Sequence, residues 1–427
     1  MLALGARVIS PRRNAGTGEL HSHFILEVSD GRPPATRVPI LVIGETTQMQ
    51  DSTMRLLRDL IAIDSVNPSL VPGGAGETGV AARAADEMRA IGLDVEVTEI
   101  VPGRPNVVGV MEGPRPGPCL MFCGHLDTVG VTGMKAPFDP VERDGRIYGR
   151  GSQDMKGGLA AMVGAASRLA ASGGIKAGRL ILAGVADEEY ASIGAESLVT
   201  RWKADAAVVT EPTDLIVAIG HKGFSWLEIS TQGRAAHGSR PRDGRDAILR
   251  MGRVMSRLEQ LDRDLQSRTP NPVLGTGSLH ASLIEGGREM STYPDRCVLK
   301  MERRTIIGES LDTALDEVRL ILEELKRQDT DFEASVTFMF GREPYQIAEG
   351  HQLTHAICEA VLATGRDARH SGMSFWTDAA ILGSAGIPTV IFGPGGAGLH
   401  GIEEYVIAEE VLACSDALAH LAAGFCI

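Results

Sequence analysis

The sequence has no surplus of basic charge: 42 Lys and Arg stand against 55 Asp and Glu, a formal charge of −13. A nucleic-acid partner would want a basic face, so none is expected. No apolar run approaches the roughly 18 residues of a membrane span, and no membrane role is expected. The first 30 residues lack a signal-peptide pattern, because the short start MLALGARVIS runs into Arg12 and Arg13. The six cysteines (119, 123, 297, 358, 414 and 426) form no CxxC pair and read as reduced thiols of a cytoplasmic protein. Neither a GxSxG elbow nor a Walker A sequence is present, which leaves serine-hydrolase and P-loop chemistry without support. Gly393-Pro-Gly395-Gly-Ala-Gly398 matches GxGxxG after a strand pattern, but no long apolar helix begins at Gly398. A bound dinucleotide is therefore rejected.

What is present is ordinary globular material, 43% hydrophobic and 23% charged, in a length of 427 residues that suits two or three domains. Residues 1–48 carry Arg, Pro and Gly without a helical period, and are expected to be a poorly structured extension, with Met49 as an alternative start. His21 and His23 fall in that stretch and read as tail residues. From Met54 a stripe of Leu56, Leu57, Leu60 and Ile61 predicts a helix. Helices over about 79–91, 157–171 and 193–202 alternate with strands over about 94–100, 119–123, 179–186 and 206–210, which predicts an α/β fold with a largely parallel central sheet. The rhythm breaks over 221–341. There the order is strand, helix, strand, strand, helix, strand, with Ser310 as a helix N-cap: a ferredoxin-like βαββαβ unit. A helix over 351–363, one near 378–385 and a strand at Thr389–Phe392 then resume the first pattern. The expected organisation is a discontinuous catalytic domain, 49–220 with 342–427, interrupted by an inserted domain, 221–341.

Polar clusters stand at the ends of the apolar strands: His125-Leu-Asp127, Asp154-Met-Lys-Gly-Gly, Asp187-Glu188-Glu189, Thr210-Glu211-Pro212 and Leu399-His400-Gly-Ile-Glu403. Strand C-termini of a parallel sheet share one rim, so these distant segments can converge there. Imidazole and carboxylate are ligand types that zinc takes. Two His and several carboxylates exceed the needs of one tetrahedral ion and suggest a pair of metals sharing a carboxylate, able to activate a bridging water and polarise a carbonyl. Asp127, two residues beyond His125, can take the imidazole's second N–H. Glu188 and Glu189 are adjacent at a strand end, where side chains diverge, so one can bind metal while the other faces water as a general base. Gly395 and Gly396 would let backbone approach the metals and the substrate.

The segments GHLDTV (124–129), GRGSQDMKGG (149–158), ADEE (186–189), TEPT (210–213), GRAAHGSRP (233–241) and GLHGIEE (398–404) resemble, in order, those of the di-zinc metallopeptidase and deacylase family. That family contains acetylornithine deacetylase, succinyl-diaminopimelate desuccinylase, aminoacylases and glutamate carboxypeptidase. The resemblance covers about 51–427. It implies His125 and Glu211 on one zinc, Asp154 bridging both, Glu189 and His400 on the second, Asp127 orienting His125, and Glu188 as the base. It also implies a homodimer through the inserted domain, with His237 reaching the partner's site to help stabilise the oxyanion.

Arg304 stands where relatives carry an Arg that binds the substrate carboxylate, a role its guanidinium fork suits. Its surroundings, Glu302-Arg303-Arg304-Thr-Ile-Ile-Gly-Glu, depart from the family's Asp-x-Arg-x-x-Pro-Gly-Glu, and Ser291-Thr-Tyr-Pro294 departs from Asn-x-x-Pro. Trp376, Thr377 and Asp378 are placed at the approach to the site without an assigned role. His221 reads as structural, at a domain hinge. The expected activity is hydrolysis of an N-acyl amino acid by two Zn2+, with Co2+ or Mn2+ as substitutes. A carboxypeptidase or dipeptidase would use the same residues, and a silent small-molecule binding protein would have no need for Glu188.

Overall fold

The computed structural model describes residues 46–427. The expected extension, with His21 and His23, lies outside the described residues except for 46–48, which begin the helix Thr46–Ile61. The central sheet has nine strands, and six of them run in one direction. Its middle is parallel: Arg179–Val185, Cys119–His125, Ala206–Val209 and Thr389–Ile391 lie side by side in that order. The flanking strands are antiparallel additions; Arg104–Glu112 beside Arg179–Val185 and Val217–His221 beside Thr389–Ile391 carried no clear signal in the sequence.

Both faces of the middle strands are buried, as near-continuous apolar runs require. Leu120 and Phe122 join Leu180, Leu182 and Val208 in a core completed by the helices Thr46–Ile61, Thr78–Ala90, Gly157–Ala171, Gln352–Ala363 and Ala408–Phe425. Met121 and Cys123 point the other way and meet Ile181, Ala183 and Val209 under Ile193–Arg201 and Ala379–Ser384. The result is three layers. The helix Gly157–Ala171 lies very close to the sheet, and a Cβ on Gly158 would fall 1.9 Å from the carbonyl oxygen of Thr210. That close approach explains the small residues at the helix start.

Between Gly223 and Arg342 the chain leaves this sheet and builds a second one. Its strands are Ser278–Gly286, Arg296–Thr305, Gly223–Gln232 and Glu333–Arg342 in that spatial order, all antiparallel. Two helices cover one face, Ala247–Ser267 and Leu311–Gln328, and their stripes of Met251, Val254, Leu258 and Leu315, Val318, Leu322 enclose a separate core with Leu227, Ile229 and Leu299. Both helices are capped. Asp246 accepts the N–H of Leu249 at 2.9 Å, and the Thr313 hydroxyl accepts the N–H of Ser310 at 2.9 Å. The strand order is that of a ferredoxin-like sandwich, as the sequence pattern predicts. A third, small sheet is built from Gly396–Ala397, Tyr405–Ile407, Arg146–Tyr148 and Val141–Arg143 in that order.

His221 ends the last central strand before the chain enters the second sheet. It is fully buried, its Nδ1 lies 3.0 Å from the carbonyl of Lys222, and its Nε2 has no partner among the described residues. Burial pulls its pKa from 6.5 down to about 4, against a small upward pull from the Lys222 carbonyl. A depressed folded-state pKa gives stability that is complete above pH 6.5 and is lost as pH falls through 4. Its size is about 3 kcal/mol at the acid limit. Urea unfolding at pH 7 and pH 4 should therefore show wild type losing about 3 kcal/mol more than His221→Gln; equal losses would mean that His221 is not held neutral.

Candidate dinuclear metal site

The parallel register decides where the functional side chains meet. His125 pairs with Val185 and Cys123 with Val209, so the ends of three neighbouring strands stand level. His125 is the last residue of its strand, Glu188 and Glu189 follow Val185 within four residues, and Glu211 follows Val209 by two. Asp154 arrives from the turn Ser152–Lys156 ahead of the helix Gly157–Ala171, where the Asp154–Met155 peptide is cis. His400, at φ 58°, comes from the loop after Thr389–Ile391.

These residues converge. His125 Nε2 lies 2.9 Å from Asp154 Oδ1 and 3.7 Å from Glu211 Oε1. His400 Nε2 lies 3.1 Å from Glu189 Oε2 and 3.4 Å from Asp154 Oδ2. Asp154 thus stands between the two imidazoles, one oxygen toward each. The donor atoms fall into two sets within 4.8 Å, one of His125, Asp154 and Glu189, the other of His125, Glu188 and Glu211. A cavity of about 310 Å³ opens over them, and Arg304, Pro212, Phe375, Trp376 and Leu399 complete its wall.

The electrostatics are those of a cation site. Burial and the Glu211 charge push the Glu188 carboxyl far above its ordinary range, and burial does the same to Glu211 despite the pull of His125. Burial and the Asp154 charge bring Glu189 up to about 7. Asp154 moves down instead, because His125 and His400 outweigh its own burial. His400 is raised to about 10 by Asp154 first and Glu189 second. Glu189 Oε1 is buried with no hydrogen-bond partner among the described residues. An orphaned carboxylate oxygen inside an oxygen- and nitrogen-rich cluster is what a divalent cation fits.

The geometry also assigns work that the sequence did not. His125 Nδ1 lies nearer to the Asp127 backbone carbonyl (3.0 Å) than to its carboxylate (3.6 Å). The carboxylate is occupied elsewhere: it accepts the N–H groups of Glu188 at 3.1 Å and Glu189 at 3.2 Å and the Asn67 amide at 2.7 Å. Asp127 therefore fixes the backbone that carries both glutamates. Glu404 does the same for Asp154. Buried and paired with Arg150 at 2.6 Å, it accepts the N–H groups of Gly151, Gln153 and Asp154 at 3.0, 2.9 and 3.1 Å. Behind Glu188 and Glu189, Arg104 bridges Glu77 and Asp187, and Asn67 donates to Asp187 at 3.0 Å. Asp378, a buried carboxylate at the start of Ala379–Ser384, is raised by burial to about 7. Only the second glutamate of GLHGIEE is buried; Glu403 is exposed.

Three expected residues stand apart from the cavity. Gly395 donates its N–H to Glu410 at 2.8 Å, and a Cβ there would meet Asp214. Gly396 lies so close to the Tyr405 carbonyl that a side chain is excluded. Their smallness serves the small sheet and its loop, not an approach to the metal donors. His237 is exposed on the second sheet's side of the molecule, where its Nδ1 lies 2.9 Å from the Ser239 hydroxyl.

Crowded carboxylates repel until a cation arrives. Zn2+ added to chelator-treated protein should raise the melting temperature. In Glu211→Gln the chelated protein should melt higher than wild type by about 2–4 °C, and the rise on adding Zn2+ should shrink. A chelated variant that melts lower, with an undiminished zinc response, would place the cation elsewhere.

Residues 121–424 match the family model of Peptidase family M20/M25/M40. The chain is 31% identical over 354 residues to the acetylornithine deacetylase of Vibrio vulnificus, covering 81% of this chain and 90% of that protein. It is 31% identical over 342 residues to the acetylornithine deacetylase of Myxococcus xanthus, covering 75% and 84%. In fold it is similar to a tripeptidase from Staphylococcus aureus, with a TM-score of 0.76 at 21% identity over 88% of this chain and 98% of that one. The match over most of the length and the relatives above 30% identity carry one conclusion: the chain belongs to peptidase family M20/M25/M40 and is a hydrolase acting on amides.

Proposed function

We propose that the protein hydrolyses the amide bond of N-acyl amino acids, as a deacylase of the acetylornithine deacetylase type, using two zinc ions. The observation that carries this reading is one cavity lined by Glu188, by Asp154, Glu189, Glu211 and His400, and by the cation Arg304. His125 and Glu211 would hold one ion, Glu189 and His400 the other, and Asp154 both. Zinc bound there would polarise the scissile carbonyl and acidify water. Glu188, with its affinity for protons raised by burial, is suited to take a proton from that water and return it to the leaving amine. Asp127 keeps it in place through the backbone. Arg304 would receive the substrate carboxylate, and its Nε is already oriented by Glu302 at 2.6 Å.

The reading includes the division into a catalytic domain, 49–220 with 342–427, and an inserted domain, 221–341, that forms a homodimer. What supports the dimer is the edge strand Ser278–Gly286, exposed over most of its length and bearing Leu283 and Ile284, with Leu249 and Met290 exposed as well. An open apolar strand edge calls for a partner. His237 pairs with Thr292, two residues from Met290, so it sits near that edge and would act in the partner's site. A cytoplasmic location fits cysteines that are all unpaired, and among the described residues no helix is long and apolar enough to cross a membrane.

Glu188→Gln should keep its Zn2+ and lose hydrolysis by about 10²–10⁴-fold. Turnover near wild type, measured on N-acetyl amino acids with metal content checked by elemental analysis, would refute the base. His237→Ala should be inactive alone, yet mixed with Glu211→Gln protein it should recover up to about a quarter of wild-type activity, from dimers holding one complete site. No recovery after verified subunit exchange would remove His237 from the partner's site.

A further inference from the structure

We propose that the site selects N-acyl amino acids with a large apolar side chain, aromatic above all, over those with a cationic side chain such as ornithine. The inference rests on the deacylase reading above and names its substrate class. Apart from the metal donors and the base Glu188, the cavity wall consists of one cation, Arg304, and four apolar residues, Pro212, Phe375, Trp376 and Leu399. The one further carboxylate there is the base Glu188, whose place is at the scissile bond; beyond it the cavity wall offers an ammonium group no carboxylate.

Aromatic residues make up only 4% of the chain, yet they gather here. The Arg304 guanidinium lies over the Phe224 ring at 5.5 Å, and Phe224 meets Trp376 edge-on at 6.3 Å. The cation and the aromatic wall are thus contiguous. A substrate whose carboxylate reaches Arg304 lays the group on its α-carbon toward Trp376. The indole is already anchored, since its N–H donates to the Glu343 carbonyl at 3.2 Å and its ring meets His221 edge-on at 5.9 Å. Its polar atom is satisfied, and what it offers a ligand is carbon.

A cationic side chain fares badly at this wall. A guanidinium, that of Arg342, already lies 5.7 Å from the Trp376 ring centre, and Arg304 is the next charge along. Their counter-ions are committed, Glu196 to Arg342 at 2.8 Å and Glu302 to Arg304. An ornithine ammonium would shed water without gaining a partner, beside two like charges. A phenyl ring or branched aliphatic chain sheds no hydrogen bonds and removes apolar wall from water.

The test compares kcat/KM of the zinc-loaded protein for N-acetyl-L-phenylalanine, N-acetyl-L-leucine and N-acetyl-L-ornithine. The phenylalanine substrate should lead ornithine by about tenfold or more, the scale a shaped apolar pocket provides. Trp376→Ala should reduce that ratio by about fivefold, mainly through KM for the aromatic substrate. Should Trp376→Ala not fold, Phe375→Ala serves the same purpose. A ratio near one, a preference for ornithine, or a ratio unmoved in the folded variant overturns the inference. Calorimetric Kd values for the same ligands on zinc-loaded Glu188→Gln keep the two claims apart. Absence of hydrolysis for all three substrates contradicts the deacylase reading, and the ratio of Kd values still decides the preference.

Discussion

Four carboxylates crowded onto the rim of one sheet are the constraint around which the rest of this structure is organised. Glu188, Glu189 and Glu211 meet because three parallel strands end level, Asp154 joins them from the turn Ser152–Lys156, and burial makes their shared negative charge expensive. Left alone, such side chains would turn toward water or take up protons. Two backbone clamps hold them. The Asp127 carboxylate binds the N–H groups of Glu188 and Glu189, and the Glu404 carboxylate binds three N–H groups of the Gly151–Asp154 turn. Charge-assisted bonds of this kind contribute about 1.5–3 kcal/mol each. Acids outside both donor sets thus hold the backbone of those within them.

The clamps are themselves supported from behind. Arg104 neutralises Glu77 and Asp187, while Asn67 ties Asp187 to Asp127, which joins the loops after three different strands or helices into one buried network. The second sheet is coupled to the same region. Arg342, at the end of its last strand, donates to the Ala191 carbonyl at 2.5 Å, two residues beyond Glu189, and stacks near Trp376. Arg304 and Phe224 also belong to that sheet. The cavity therefore has most of its wall from the segments that build the central sheet, and one charged residue, Arg304, from the second sheet.

Much of this was legible before any coordinates. The apolar runs at 119–123, 179–186 and 206–210 could only be buried strands, and the polar residues directly after them could only lie at the strand ends. The βαββαβ order followed from the switch between periods of two and of 3.6, and Ser310 marked a helix start. The antiparallel strands Arg104–Glu112 and Val217–His221 are harder to see, because Pro105, Asn106 and Gly109 interrupt the first and only Val217, Ala218 and Ile219 make an apolar run in the second. Asp127 was assigned to the His125 ring because sequence spacing shows proximity and not competition; the two glutamate N–H groups hold its carboxylate instead. Glu404 stands within GLHGIEE but shows no role there, because besides Arg150 its partners are backbone N–H groups, which leave no signature in residue type. In sequence Gly395 and Gly396 suggest room for a ligand; in the fold they make room for Asp214 and the Tyr405 carbonyl. A glycine records that space is needed and not what fills it.

The central claim is that this rim is a two-cation centre shared through Asp154. It is tested most directly by anomalous diffraction from a crystal of the zinc-loaded protein, recorded on both sides of the zinc absorption edge. Two anomalous peaks about 3.5–4 Å apart are expected, one beside His125 and Glu211, the other beside Glu189 and His400, with Asp154 next to both. A single peak, or zinc bound away from these residues, would contradict it.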